Sequence, residues 1–274
     1  MNFKQSVLQG VLPKDLRIFD AHAHVGEGEY SGIYLYTLPL AQNLCLMKKA
    51  GINAMAASSF KSLGGSAAAG NERLMEMCAI HPEELFAYLY YEPRYSYEVF
   101  AQLDTYRSHP SFIGVKIHPR ESKTSLESSD YDMLYAYCET HGILILCHTW
   151  ATEPENNPSS FTRILKRHPK LKLLLGHMGG TYRGCMDSIA LANEYKNVYL
   201  DINGSLYSQI WIEELVKLAP LNKFIFSTDQ VFNDPRIIVG RVLLSDLKDE
   251  EKKAILCDNF ETVMGRQLVR AGGV

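Results

Sequence analysis

Short apolar runs alternate with longer stretches of helical periodicity along the whole sequence. Eight such runs are rich in Leu and β-branched residues, and they end near Phe19, Ala56, Tyr90, Ile117, Cys147, Leu175, Leu200 and Ser227. Successive runs are roughly 25 to 36 residues apart, which is the length of a right-handed βαβ unit. Some runs, such as residues 143–146, are apolar at every position. Parallel strands that are covered by helices on both faces have this pattern, so the alternation predicts a parallel α/β sheet.

The stretches between the runs read as eight helices, Pro39–Ala50, Ala68–Ile80, Tyr95–Ser108, Asp130–His141, Ser159–Arg167, Thr181–Tyr195, Ser208–Leu218 and Pro235–Leu244. Eight strands alternating with eight helices is the count of a (β/α)8 TIM barrel. A doubly wound open sheet is the alternative, but that fold usually has fewer strands and often carries a Gly-rich first turn, which is absent here. The sequence therefore predicts a TIM barrel with its functional site at the C-terminal face of the strands.

Composition limits the domain organisation and the partners. The 274 residues contain no low-complexity segment or linker, so we expect residues 1–274 to form a single domain. A net charge of −3 gives no reason to expect nucleic acid or a membrane surface as a partner. Six cysteines without a Cys-x-x-Cys pair are typical of reduced thiols. With no signal-peptide h-region or bilayer-spanning run, the sequence predicts a cytoplasmic protein.

The stretch Asp20-Ala21-His22-Ala23-His24 places two imidazoles at positions i and i+2. Alternate side chains leave a β-strand on the same face, so His22 and His24 are expected to lie side by side, as two ligands of one metal ion do. Two histidines on one strand face are also compatible with ordinary packing or solvation. The motif alone is therefore weak, and its interpretation depends on the other strand ends.

Polar side chains recur where the other predicted strands end. These groups are Ser58–Lys61 with the Gly-rich loop Leu63–Gly70, Tyr91–Arg94, Lys116–Arg120, Cys147–Trp150, His177–Gly180, Asp201–Gly204 and Ser227–Asp229. The strands of a TIM barrel all end at its C-terminal face, where catalytic groups lie. Any one of these histidines is compatible with a hydrogen-bonded core position. Five histidines and one aspartate on the same face, however, form a ligand set that suits Zn²⁺ or a similar divalent ion.

The same segments, taken in order, resemble the successive signatures of the amidohydrolase superfamily. Asp20–His24, Gly114–Pro119, Cys147–Thr149, Gly176–Gly180 and Ser227–Asp229 carry the resemblance, and Ile255–Phe260 is similar to the closing helix. The branch that the chain resembles is amidohydrolase 2, the aminocarboxymuconate-semialdehyde decarboxylase-like family of metal-dependent TIM-barrel hydrolases. The resemblance extends over about residues 17 to 265 and is specific as an ordered set.

The resemblance implies a role for each matching residue. The metal ligands would be His22, His24, His148 and Asp229. Asp229 would also accept a proton from the attacking water, and His177 would hydrogen-bond the substrate carbonyl or bind a second metal. The implied cofactor is one divalent ion per chain, Zn²⁺ with Mn²⁺ as the alternative, or two ions if Lys116 is carboxylated.

Other residues are expected to contact the substrate. The resemblance places Lys116 and His118 beside it, and Trp150 stands where the family often has glycine, so its ring is expected to narrow the pocket. Arg94 and Arg120 add positive charge near the rim, which favours an anionic substrate such as a carboxylate or phosphate. Structural ion pairs in the loops are the alternative role for these arginines.

The function that we expect is metal-dependent hydrolysis, in which metal-activated water attacks a C–N or C–O bond of a small anionic substrate. A metal-dependent decarboxylase with the same residues is the first alternative, since the branch contains both chemistries. A non-catalytic metal-binding barrel is the second, although the complete ligand set argues against it. A Cys147–His148 nucleophilic pair is excluded, because neighbouring strand residues face opposite sides. The resemblance suggests a homodimer.

Overall fold

A computed structural model describes residues 2–13, 15–26, 39–203 and 210–269. Its sheet contains eight parallel strands that pair in chain order. The strands are β1 (Phe19–Val25), β2 (Ala54–Ser59), β3 (Leu85–Tyr90), β4 (Phe112–Ile117), β5 (Leu144–His148), β6 (Lys172–Gly176), β7 (Val198–Asp201) and β8 (Phe224–Ile225). All lie close to the predicted runs, except that β1 begins at Phe19, where the sequence pattern suggested an end.

Helices connect the strands and cover the outside of the sheet. They are α1 (Phe3–Leu8), α2 (Leu40–Lys49), α3 (Phe60–Gly64), α4 (Ala67–Ile80), α5 (Ser96–Tyr106), α6 (Pro119–Ser122), α7 (Ser129–His141), α8 (Phe161–Arg167), α9 (Tyr182–Glu194), α10 (Ile210–Leu215), α11 (Pro235–Leu243), α12 (Asp249–Lys253) and α13 (Asn259–Met264). A π-helical segment, Ala254–Asp258, joins α12 to α13. The start of the helix predicted from Ser208 lies outside the described residues. The Gly-rich segment 63–70 is mostly helical, because Ser66 caps α4 by accepting a hydrogen bond from Ala69 N–H.

Backbone hydrogen bonds between β1 and the segment directly after β8 bring the two edges of the sheet together. Ala21 N–H donates to Phe226 O over 3.1 Å, and Asp229 N–H donates to His22 O over 2.8 Å. His24 N–H donates to Gln230 O in the same seam. An open doubly wound sheet has no such contact between its outermost strands. The sheet is therefore a nearly closed (β/α)8 barrel, as the sequence predicted.

Apolar side chains form one layer inside the barrel and a second layer outside it. Side chains such as Phe19, Tyr88 and Leu146 fill the interior of the barrel and pack on Phe260 of α13, which crosses one end. The larger cluster lies between the strands and the surrounding helices. Cys147 belongs to this outer layer, whereas the neighbouring Leu146 belongs to the inner one. This alternation agrees with the exclusion of a Cys147 nucleophile.

A β-bulge in β1 determines which way its histidines point. The pairing of β1 with β2 shifts between Asp20 and Ala23, where three steps along β1 oppose two along β2. Ala21 consequently lies in the inner layer and Ala23 in the outer layer, although the two residues are separated by one position. Bulges reverse the direction of the side chains that follow them. His22 and His24 therefore both face the barrel axis.

The helix ends follow local sequence chemistry. Ser128 caps α7 by accepting from Tyr131 N–H, and Gly142 ends the same helix in the left-handed conformation with φ 65°. Only glycine adopts that conformation without steric cost. No helix within the described ranges has the length and apolar character to cross a membrane. That residues 1–274 form a single domain stays a prediction.

Candidate metal centre

The bulged strand β1 and the segment after β8 bring three predicted ligands together. His24 Nε2 lies 3.2 Å from Asp229 Oδ1, and His22 Nε2 lies 3.6 Å from the same oxygen. One ligand atom from each of these three side chains lies within 4.8 Å of the others. His22 and His24 are buried, and Asp229 retains slight exposure. The Nε2 atoms of both histidines therefore converge on one oxygen of Asp229, which is the most exposed of the three side chains.

His148, the fourth predicted ligand, contacts other histidines of the site. Its Nδ1 is 3.0 Å from His177 Nε2, and its ring stacks on His118 with ring centres 4.0 Å apart. The structure thus joins His148 to His177 and His118, and it does not place His148 in the compact set of His22, His24 and Asp229. Whether His148 completes the ligand set stays a prediction.

Asp201 is a member of the site to which the sequence analysis gave no role. Its Oδ2 accepts from His22 Nδ1–H over 2.8 Å, and it also lies 3.3 Å from His177 N. Ser227 Oγ donates to Oδ1, and Asn203 N–H donates to the same oxygen over 3.0 Å. The available signal was its position at a strand end, two residues before Asn203. Its partner was not visible, because His22 is 179 positions away in the chain.

Hydrogen bonds from this network determine the tautomers of two histidines. A proton on Nδ1 of His22, shared with Asp201, leaves the Nε2 lone pair of His22 facing the centre. Asn203 Oδ1 accepts from His177 Nδ1–H, so His177 Nε2 likewise presents a lone pair, toward His148. Asn203 Nδ2 donates to Asp201 Oδ2 over 2.9 Å, which ties the two arrangements together. Two imidazoles are thereby held in defined orientations by one strand end.

Burial sets the charge of the histidines. It lowers the pKa of His22, His24, His118 and His148, since the charged imidazolium loses its hydration. Burial also opposes ionisation of Asp229, but interactions with His177, His24 and Lys116, including the hydrogen bond from His24, outweigh it and lower the pKa of this carboxyl. The site therefore combines neutral imidazoles with an ionised carboxylate.

Lys116 projects from β4 into the same centre. Its Nζ lies 2.6 Å from His22 Nε2, and the side chain is fully buried. Burial lowers the pKa of this ammonium to about 8. Because His22 Nδ1 donates to Asp201, Nε2 is the acceptor and Lys116 is the donor. The Nε2 lone pair of His22, which faces the centre, therefore already accepts a hydrogen bond from a cation, the Lys116 ammonium.

These residues fit a divalent metal ion. Neutral imidazole nitrogens and a carboxylate oxygen are the ligands that zinc and manganese prefer in proteins. The other ring nitrogen of each β1 histidine has a partner, since Asp201 contacts His22 and Ser58 Oγ lies 3.0 Å from His24 Nδ1. Metal-binding histidines have such partners, which orient the ring. The donor set and its supports are therefore those of a metal centre.

The predicted substrate residues fall into two classes. Trp150 lies inside the site, where its ring stacks on His148 at 6.3 Å between centres and meets His177 edge-on at 6.0 Å. Arg94 and Arg120 are more than half exposed and form ion pairs, Arg94 with Glu92 at 2.8 Å and Arg120 with Glu153. Carboxylate partners offset much of their positive charge. Both arginines therefore form ion pairs in this structure, and their contact with a substrate stays a prediction.

Two of the predicted catalytic residues have an unusual backbone. His177 has φ 60° and Asp229 has φ 57°, both in the left-handed region. Non-glycine residues adopt this conformation at a cost of about 1 to 3 kcal/mol, and such residues concentrate at functional sites. The fold therefore holds both side chains in place against a local backbone preference.

A family model described as Amidohydrolase matches residues 19–264. No curated protein sequence matched the chain.

Solved structures with the same fold include several decarboxylases. A 2,6-dihydroxybenzoate decarboxylase from Rhizobium superposes with TM-score 0.73 at 15% identity, covering 92% of this chain and 99% of the other. A 5-carboxyvanillate decarboxylase from Sphingomonas paucimobilis gives 0.74 at 12% identity, with 92% and 100% covered. A dihydroxybenzoic acid decarboxylase from a Polaromonas species, solved with manganese and 2-nitroresorcinol, gives 0.72 at 14%, with 92% and 97% covered. At these identities the likeness establishes the fold. The family match, which extends over most of the described barrel, identifies the chain as a member of the amidohydrolase family of enzymes.

Proposed function

We propose that the chain is a metal-dependent hydrolase that cleaves a C–N or C–O bond of a small anionic substrate. The observation that carries the proposal is the position of the Asp229 carboxylate beside the Nε2 atoms of His22 and His24. Hydrolysis needs a proton acceptor next to the activated water, and a carboxylate with a lowered pKa is in the accepting form at neutral pH. His22, His24 and Asp229 would hold the ion, with His148 as the further ligand.

The cofactor that we propose is one divalent ion per chain, Zn²⁺ with Mn²⁺ as the alternative. When bound, it supplies a Lewis acid that polarises the substrate and lowers the pKa of water. Asp229 takes up the proton at a carboxylate oxygen. His177, whose Nδ1–H is shared with Asn203, lies beside the centre with its Nε2 3.0 Å from His148 Nδ1, and Lys116 brings a positive charge to the same region. A second ion would require Lys116 in its carboxylated form.

The substrate that we propose is a small carboxylate. Lys116 and His118 lie beside the centre on β4 and just after it, and Trp150 offers a flat apolar surface beside His148. A planar aromatic substrate fits against this surface, because aromatic rings pair favourably when their centres are about 4.5 to 7 Å apart. Arg94 and Arg120 would contact the substrate only after exchanging their present partners, Glu92 and Glu153.

Decarboxylation of a small aromatic acid is the second candidate. The aromatic surface of Trp150 favours it, and so does the similarity to the solved structures of 2,6-dihydroxybenzoate decarboxylase and 5-carboxyvanillate decarboxylase. In this reaction the bond between the carboxyl group and the ring breaks, carbon dioxide leaves and the ring carbon takes up a proton. That proton comes from solvent water, and Asp229 would relay it to the ring carbon.

Metal content and reaction products test the proposal. Protein purified without chelators or added metal should contain about one equivalent of zinc or manganese by elemental analysis, and two equivalents would indicate a carboxylated Lys116. Anionic amides, esters and lactones should incorporate ¹⁸O from labelled water. Release of carbon dioxide from 2,6-dihydroxybenzoate or 5-carboxyvanillate without ¹⁸O incorporation would favour decarboxylation instead. A chain that takes up neither metal on titration would overturn both candidates and favour a non-catalytic barrel.

Cytoplasmic location and a homodimeric state complete the proposal. The six cysteines are free thiols, as a reducing compartment maintains them. Size-exclusion chromatography with light scattering measures the oligomeric state directly, and a monomer would contradict the dimer.

A further inference from the structure

A cleft at the opposite end of the barrel collects positive charge. It encloses about 230 Å³ and lies where β4, β5 and β6 begin, bounded below by the end of α13 and the residue Arg266. The polar side chains that define it are Arg107, Ser108, His109, His141, Lys172 and Arg266. Among the described residues that line it, none carries a carboxylate. Three cations therefore share one cleft on a chain whose net charge is −3.

The two histidines present N–H groups as well. Arg107 Nη1 donates to His141 Nδ1 over 2.8 Å, since a guanidinium has no acceptor. Ser111 N–H donates to His109 Nδ1 over 3.2 Å. A neutral imidazole that accepts at Nδ1 carries its proton on Nε2. Each histidine therefore keeps an Nε2–H donor. The residues that line the cleft thus include charged donors from the arginines and the lysine and neutral donors from the histidines.

Among the described residues, Lys172 and Arg266 have no carboxylate within ion-pair distance, and Arg107 has only a long contact, with its Nε 3.9 Å from Asp104 Oδ1. Surface arginines such as Arg73 and Arg236 have a carboxylate oxygen within 2.7 Å. Arg266 donates to the backbone oxygen of Phe112 over 2.9 Å, and Lys172 lies 3.5 Å from Val263 O. Burial lowers the pKa of Arg266. A partly buried guanidinium whose recorded partner is a neutral carbonyl leaves charge that an anion can satisfy.

The size of the cleft selects a compact ligand. Pockets for drug-sized molecules enclose roughly 300 to 1,000 Å³, which exceeds the volume here. An oxyanion with several acceptor oxygens can instead meet guanidinium, ammonium and imidazole donors at once. We propose that the cleft formed by Arg107, His109, His141, Lys172 and Arg266 binds a phosphate-type oxyanion, as inorganic phosphate or as the phosphate group of a small metabolite.

Calorimetric titration of inorganic phosphate into the full-length, metal-loaded protein tests this site. At constant ionic strength the wild type should show saturable binding of one phosphate, with a dissociation constant of about 1 mM or below. A Lys172→Met/Arg266→Met double variant should bind at least about ten-fold more weakly, because it loses two charged donors. An Arg73→Met/Lys217→Met variant removes the same charge from exposed positions and should bind like the wild type.

Equal affinity in the wild type and the cleft variant would overturn the proposal, since the phosphate would then bind elsewhere, for example at the metal centre. Absence of saturable binding in the wild type up to about 10 mM would overturn it also. A small phosphomonoester, glycerol phosphate, separates the two sources. Tighter binding than inorganic phosphate assigns the cleft to a metabolite, and equal or weaker binding assigns it to free phosphate.

Hydrogen exchange of the wild type provides a test that does not depend on the folding of a variant. Phosphate should slow amide exchange in residues 107–113 and 141–144, which border the cleft. Slower exchange confined to the segments around His22, His148 and His177 would contradict the cleft as the phosphate site.

Discussion

His22 Nδ1 lies 2.8 Å from Asp201 Oδ2, and both side chains are completely buried. The contact joins the first strand of the barrel to the seventh and leaves His22 Nε2 directed at the centre. Burial raises the pKa of Asp201, while donors from Ser227 and Asn203 stabilise its charged form. Asp201 therefore acts on the proposed metal through His22, as a positioning residue.

Replacing Asp201 should weaken metal binding. In an Asp201→Asn variant the amide keeps the size of the side chain but removes the charge that favours the Nδ1–H tautomer of His22. Loss of such a partner typically costs 10-fold to 100-fold in metal affinity. Competition with a chromophoric chelator measures the affinity, and the exposed Asp15→Asn exchange serves as the control. Unchanged affinity in Asp201→Asn would show that His22 is oriented by other contacts.

Replacing Asp229 should separate metal binding from turnover. The amide oxygen of Asp229→Asn can still face the ion, but the amide cannot accept a proton at neutral pH. Turnover of a substrate found in the product screen should fall at least about 100-fold, in line with general-base contributions, while elemental analysis should still find much of the metal. Near-normal turnover would refute the assignment of Asp229 as the base. A His177→Asn variant should likewise lose turnover with the metal bound.

Gly180 should be required for the position of Trp150. A Cβ at Gly180 would lie 2.2 Å from the Trp150 ring, and Gly180 also has φ 65°. Gly142 has the same φ with nothing within 4 Å of the added atom, so Gly142→Ala isolates the cost of the backbone conformation, about 1 kcal/mol. Gly180→Ala should lower the free energy of unfolding by about 1 to 3 kcal/mol more than Gly142→Ala does, because the added methyl group overpacks against Trp150. Urea denaturation measures both losses. Equal losses of unfolding free energy in the two variants would show that the Trp150 ring moves aside at no energetic cost.

Acid should weaken the attachment of the C-terminal segment to the barrel. Burial opposes ionisation of Glu261, but N–H groups of Val269 and Leu268 and the guanidinium of Arg17 outweigh it and lower the pKa of this carboxyl. The unfolded chain then binds the proton more readily than the folded one. The contribution to stability is therefore complete above the unfolded pKa, near 4.5, and is lost as the pH falls through the folded value.

A Glu261→Gln variant tests that pH dependence. It should be less stable than the wild type at pH 7 by about 1 to 3 kcal/mol, because hydrogen bonds to a charged group are lost. The difference between the two proteins should shrink as the pH falls from 6 toward 3, as followed by urea denaturation at each pH. A constant difference would contradict the lowered pKa of Glu261.

The sequence by itself determined the barrel and the face on which the site lies. Eight apolar runs at regular spacing leave few topologies, and parallel strands necessarily end at one face, so polar residues at those ends must lie close together. Helix ends also depend on local sequence, since caps such as Ser128 and Gly142 act over three or four residues.

Only the tertiary structure decided which polar residues meet. The bulge in β1 depends on how the strand pairs with β2, and it is this pairing that turns His22 and His24 to the barrel axis. Asp201 contacts His22 across 179 positions, and Arg94 and Arg120 form ion pairs with Glu92 and Glu153. Local sequence encodes backbone periodicity and caps, whereas side-chain partners depend on register and closure, which no short stretch of sequence contains.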